Sequence, residues 1–220
     1  MRNVESTLTE RFNVPTLFVS NGTIAILPAI KALGLNGKII TTPFDCVATS
    51  SSIVWEGFDP VCLDVEEHGA HIDPKKIEAA VIPGITGIIA THCFGVLCDV
   101  NDIQTIAGKH GLKVIYDSAH AFGSNIKGRS IFEFGDVSMC SKHATKLFHT
   151  VEGGSVSCKD EEIFRRISLM RHFGHRGLDK FDGVEINGKN SEIHVAMRAA
   201  NWKCLEDNLS GRHQSTDQFF

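Results

Sequence analysis

The sequence has no C-x-x-C pair, no G-x-G-x-x-G, no long uncharged apolar run and no excess of basic residues. Each absence closes off a class of function. Seven scattered cysteines, an odd number, fit free thiols in a reducing cytosol rather than a disulfide framework, so a cytoplasmic location is expected. A net charge of −4 gives no electrostatic case for a nucleic acid polymer or a membrane surface. No stretch is long and apolar enough to span a bilayer, and residues 1–12 are polar and acidic, unlike a secretory signal. The dinucleotide fingerprint being missing argues against a Rossmann-type nicotinamide site. Eleven histidines invite a zinc reading, yet neither His92, Cys93 and Cys98 nor His172 and His175 repeat the spacing of a zinc site, and no metal is expected.

What is present is an ordinary globular composition. Of 220 residues, 42% are hydrophobic and 22% charged, enough for a sizeable core in one large or two small domains. Short β-rich apolar runs alternate with helical patterns, which predicts an α/β sheet layered with helices. Strands are expected at 17–20, 38–41, 61–65, 86–92, 112–117, 136–141 and 154–157. Asp73-Pro74 opens a helix with a cap and a proline at its first position. Asp99 opens another, in which Val100, Ile103, Ile106 and Ala107 share a face and Gly111 ends the run. Further helices are expected at 23–33, 46–55, 161–173 and 191–209. No repeat or low-complexity linker is visible.

In such sheets ligands bind beyond the carboxyl ends of the strands, and the chemically distinctive residues fall there. Asn21-Gly22-Thr23 follows a strand and opens a helix, whose free N–H groups suit a phosphate; taken alone, an ordinary turn and cap explains it better. Asp117 ends an apolar strand and could pair with a protonated ring nitrogen or a metal, or simply cap Ser118-Ala119-His120. Lys146 follows the strand ending at Ser141, with Lys142, His143 and His149 near in sequence as cations able to lower its pKa; a surface lysine is the plainer alternative. Gly123 to Ser130 nearly spells a P-loop, but Arg129 stands in place of the lysine and the strand and helix that should flank it are missing.

Together and in order, these motifs carry more. Asn21-Gly22-Thr23, then Tyr116 to Gly123, then Ser141 to Lys146 and Glu152-Gly153-Gly154, make a chain that resembles the DegT/DnrJ/StrS family from about Asn21 to about Asn208. The resemblance implies a fold-type I PLP-dependent transferase large domain with a mostly parallel, mixed seven-stranded sheet flanked by helices. It also implies pyridoxal 5'-phosphate as cofactor. Lys146 would hold it covalently and shuttle a proton, Asp117 would pair with the ring nitrogen, and His120 would stand near the phenolic oxygen. Gly22, Thr23 and Ser141 would hold the phosphate. Asn187, in Ile186-Asn187-Gly188-Lys189, is similar to a stretch that reaches the other subunit's phosphate, so a homodimer with shared sites is implied. The implied reaction transfers an amino group from glutamate to a nucleotide-linked keto-deoxyhexose, dTDP- or UDP-linked, for polysaccharide or amino-sugar biosynthesis. Lysine at 146 argues against the relatives that carry histidine there and dehydrate.

Several positions depart from the family pattern. Cys46 stands where an aromatic ring usually stacks on the cofactor, with Phe44 as a candidate substitute. Pro28 lies inside the helix after the phosphate loop, at a cost of about 3 kcal/mol unless the helix bends or starts late. Lys142 replaces an apolar residue, and Arg198 a small glycine on a packed helix. Residues 1–209 are expected to form the large domain, shortened at its N-terminus, and 210–220 a polar tail where relatives continue into a smaller domain. The alternative to a working transaminase is therefore a non-catalytic cofactor-binding or dimerising remnant.

Overall fold

The computed structural model describes residues 2–183 and 185–217. The seven expected strands pair into one sheet: β1 (Thr16–Val19), β2 (Lys38–Thr41), β3 (Asp59–Cys62), β4 (Ile85–Thr91), β5 (Lys113–Asp117), β8 (Val137–Ser141) and β9 (Gly154–Ser157). Their order across the sheet is β1-β9-β8-β5-β4-β2-β3. From β3 to β8 the neighbours run parallel, and β9 is antiparallel to both β8 and β1. This is the mixed, mostly parallel sheet that the motif order implied. A separate two-stranded ribbon, β6 (Asn125–Ile126) and β7 (Arg129–Ser130), occupies the false P-loop. Lys127 and Gly128 turn it at φ values of +51° and +81°, so the glycine there serves a hairpin.

The helices are α1 (Arg2–Phe12), α2 (Gly22–Ala32), α3 (Val47–Trp55), α4 (Pro74–Ala80), α5 (Val100–His110), α6 (Glu161–Met170), α7 (Glu192–Trp202) and α8 (Leu205–Asp217). Asp73 caps α4 through Lys75 N–H. Asp99 caps α5 and Gly111 ends it in the left-handed conformation. Residues of α1, α4, α5 and α8 share one core with Tyr116, Phe122 and Phe148. Residues of α2, α3 and α6 share a second, built on Val19, Ile89, Ile115 and Met139. Alternation along the strands sends neighbouring residues to opposite cores.

Four expectations are corrected. The third strand starts earlier than expected and includes Pro60, which is tolerated because β3 is the sheet's edge and owes no N–H to a further strand. The single helix expected at 191–209 is two, interrupted at Lys203 and Cys204 so that Leu205 turns into the core. Its second half continues to Asp217, through the segment expected as a tail. Pro28 neither delays nor ends α2: seven of the helix's eleven residues are buried, and that packing holds it across the missing bond to the Ile24 carbonyl.

α1 was not anticipated, although Val4, Leu8 and Phe12, all buried, mark a helical stripe. Its job is to finish the other sheet edge. Glu5 accepts from Phe18 N–H at 3.1 Å, and Arg171 donates both to Glu5 and, at 2.7 Å, to the Phe18 carbonyl. The open side of β1 is thereby closed. The Arg171 side chain is 6% exposed, so Glu5→Ala strands a buried guanidinium. A loss of about 3 kcal/mol is expected in urea unfolding, with only part of it recovered in Glu5→Gln, which restores the acceptor but not the charge.

Candidate active site

The ends of β1, β2, β5 and β8 open on one side of the sheet, and the loops that leave them surround a cavity of about 470 Å³. Its lining includes Gly22, Thr23, Cys46, Asp117, His120, Ser141 and Lys146. Seven of the eight anticipated site residues therefore converge, from four loops spread over 125 positions. Asn187 lies outside this cavity: it is exposed, bridges His172 in antiparallel fashion, and accepts from Lys189 Nζ at 2.9 Å.

One end of the cavity is a cradle for an anion. Asn21 caps α2 by accepting from Ile24 N–H at 2.8 Å, which leaves the first N–H groups of the helix facing outward. A Cβ on Gly22 would stand 3.2 Å from Met139 Cε and 3.2 Å from Ser141 Cβ, so glycine lets the loop approach the end of β8. Gly154 serves the same loop: a Cβ there would lie 2.3 Å from the Asn21 carbonyl oxygen. That contact is the physical reason for Gly154, while at Gly153 a Cβ would lie 2.2 Å from Thr150 Oγ1.

Another part of the lining is acidic. Asp117 is 4% exposed and meets only neutral groups among its hydrogen-bond partners: it accepts from Ala119 N–H at 3.0 Å, and its Oδ2 lies 2.8 Å from the Thr49 hydroxyl oxygen. Burial, and after it the Asp45 charge, pushes its carboxyl up to about 6. A buried carboxylate so placed calls for a cation from outside the protein. Lys146, half-buried, lines the same cavity, and its charge pulls the other way on Asp117.

His120 closes one wall. Its Nδ1 accepts from Phe94 N–H at 3.2 Å, which leaves Nε2–H as the free donor. Burial, with the Lys146 charge second, lowers its pKa, so the ring is neutral at pH 7. Phe94, in the turn Cys93–Gly95 at φ +55°, lays its ring parallel to the imidazole at 6.0 Å. Cys46 occupies the position where an aromatic was expected, exposed at the cavity mouth. Phe44 does not replace it: its ring turns to Phe94, edge-on at 6.3 Å, beside the cavity rather than inside it.

Two supposed neighbours of Lys146 are elsewhere. Lys142 is fully buried, bonded to Ser155 Oγ and 5.8 Å from the Phe12 ring, because alternation on β8 sends it to the core under α1. Burial, and more weakly the nearby Arg198, lowers its pKa. Arg198 is itself 7% exposed and stacks 4.3 Å from the Trp202 ring. His149 bonds Asn201. Of the three, only His143 reaches the cavity, where it pairs with Glu152 at 3.5 Å. Asp45 was missed; a carboxylate two residues past a proline at a strand end was the available signal.

The donor set fits pyridoxal phosphate. The glycine cradle and Ser141 suit a phosphate, Asp117 suits a protonated ring nitrogen, and Lys146 supplies an amine in the same cavity.

Residues 10–219 match the DegT/DnrJ/EryC1/StrS aminotransferase family. The chain is 39% identical over 201 residues to a dTDP-4-amino-4,6-dideoxy-D-glucose transaminase of Shigella dysenteriae, covering 91% of this chain and 54% of that one. The crystal structure of DesI in the presence of its TDP-sugar product superimposes with a TM-score of 0.88 at 28% identity, over 94% of this chain and 53% of that one. NtdA of Bacillus subtilis with bound cofactor PMP superimposes with a TM-score of 0.87 at 26% identity, over 93% and 48%. The chain thus spans about half the length of the curated relatives it matches.

Proposed function

The chain belongs to the DegT/DnrJ/EryC1/StrS aminotransferase family, and on that premise we propose that it works in a pyridoxal-phosphate-dependent transaminase acting on a nucleotide-linked keto-deoxyhexose. The observation that carries the reading is the joint lining of one cavity by Lys146, Asp117, Ser141 and the start of α2. Bound pyridoxal phosphate supplies an electron-accepting ring that stabilises negative charge at the reacting carbon. The Lys146 amine would hold the cofactor and, as a free amine, would carry a proton at Nζ. Asp117 keeps the ring nitrogen protonated by ion pairing. His120 donates from Nε2, and Ser141 with the Gly22 and Thr23 amides anchors the phosphate.

The name of the Shigella relative points to a dTDP-linked sugar aminated at carbon 4. Glutamate as amino donor rests on the family resemblance alone. Residues 1–209 are taken as the cofactor-binding domain. A homodimer would cover Phe44, Val47 and Phe94, which are 48%, 71% and 76% exposed beside the cavity, and Trp55, 82% exposed at the far end of α3; Asn187, exposed, would then be placed to reach a second copy. Seven unpaired cysteines, four of them buried, support a reducing, cytoplasmic setting.

The test is direct. The 220-residue chain mixed with pyridoxal phosphate is expected to turn yellow, and borohydride to fix the cofactor's mass on the peptide carrying Lys146. A colourless protein with no such adduct overturns the reading. Sedimentation of the same sample checks for the dimer.

A further inference from the structure

Asp45 follows β2 and lines the same cavity as Lys146. Its Oδ1 accepts from Cys46 N–H at 2.6 Å. Its Oδ2 lies 2.5 Å from the Thr91 hydroxyl and 2.7 Å from the Thr49 hydroxyl. The same Thr49 oxygen lies 2.8 Å from Asp117 Oδ2. Thr49 and Thr91 are both buried.

A hydroxyl carries one hydrogen, so Thr49 cannot donate to two carboxylates. Both short contacts close as hydrogen bonds when one carboxyl brings a proton of its own: Asp117 Oδ2–H donates to Thr49 Oγ1, and Thr49 Oγ1–H donates to Asp45. Two carboxyl groups linked in this way share a proton, as paired acids do. The groups facing Asp117 are Asp45 from the loop before α3, Lys146 and Cys140 from the β8 side, and Cys93 from the turn after β4. Lys146 is the one cation acting on it among the described residues.

We propose that Asp45 is a positioning residue for the ring-nitrogen site: through Thr49 it shares one proton with Asp117, and the protonated ring of the cofactor displaces that proton to solvent. The Asp117 O–H bond breaks, the proton goes to water, and the carboxylate pairs with the ring N–H. This rests on the cofactor reading above. It has a consequence of definite sign. Protons compete with the cofactor, so affinity falls as pH drops through the titration of Asp117, and the Asp45 charge raises the pH of that fall.

The experiment has two readouts. In the cofactor-free chain, carbon NMR of labelled aspartate is expected to show a buried carboxyl that titrates well above the usual range, and Asp45→Asn to lower its midpoint by about one unit. Asp45→Ser is the second variant should the amide disturb the loop. Second, the Kd for pyridoxal phosphate is measured from pH 5 to 8. The wild type weakens towards the acid end, and in Asp45→Asn the weakening moves to lower pH by the same amount. An unchanged carboxyl midpoint in folded Asp45→Asn and Asp45→Ser overturns the proposal even if the wild type turns yellow. A shifted midpoint with no pyridoxal phosphate binding leaves the proton chain standing and sinks the cofactor reading instead.

Discussion

On the proposed reading, Lys146→Ala is expected to abolish the borohydride-fixed adduct and to lower amino transfer by at least ~10⁴-fold, since one side chain would then serve as both covalent anchor and proton carrier. Covalent attachment is lost outright, because among the cavity-lining residues no second lysine can take over. Lys142 cannot: it is fully buried on the other side of β8, held by Ser155. Non-covalent binding should survive, because the phosphate cradle and Asp117 are untouched. Equilibrium dialysis would thus find cofactor that gel filtration strips away. Lys146→Arg separates charge from nucleophilicity: it keeps the positive charge acting on Asp117 and is expected to be as inactive as alanine. If either variant retains a reducible adduct, the assignment of the amine is wrong.

Asp117→Asn should move affinity and stability in opposite directions. Cofactor affinity is expected to fall by ~10²–10³-fold, the loss of a buried charged partner. Stability of the cofactor-free chain should rise, and the pH window follows from the sign of the shift. The carboxyl sits at about 6 in the fold against 3.8 when free. A raised acid contributes stability at low pH that is lost as pH rises through 6. Above pH 7 the wild type carries a buried carboxylate that the amide removes, a gain on the order of 2–3 kcal/mol. Near pH 4 the gain should vanish. Thermal unfolding of both proteins at pH 4 and 8, without cofactor, checks this. Equal stability at pH 8 would mean that Asp117 is not held against its charge, and its role as counter-ion to a ring cation would lose its physical basis. A residue kept at the expense of stability is what a binding site looks like.

Much of the site was legible because strand ends and helix starts leave local marks. The apolar run into Asp117 and the Asn21-Gly22-Thr23 turn are each written within a few residues. The Ser141-to-Lys146 loop is too, although as single motifs each had a plainer explanation. Asp45 was not legible in this way. Its importance comes from Thr49 one helical turn later, Thr91 on β4 and Asp117 on β5, and no local pattern announces a contact spanning 72 positions. The same holds for Lys142, where adjacency suggested a cation beside Lys146 and the two-residue repeat of a strand sent it to the opposite core.

The sequence by itself determined the alternation of strands and helices, the caps at Asp73, Asp99 and Gly111, and the order of the motifs, because hydrophobic period and capping are short-range effects. Tertiary structure alone decided that four loops meet in one cavity, that α1 seals the edge of β1 through Glu5 and Arg171, and that two carboxyl groups share one hydroxyl. Strand order sets these distances, and that order depends on which faces bury together rather than on which residues are neighbours in the chain.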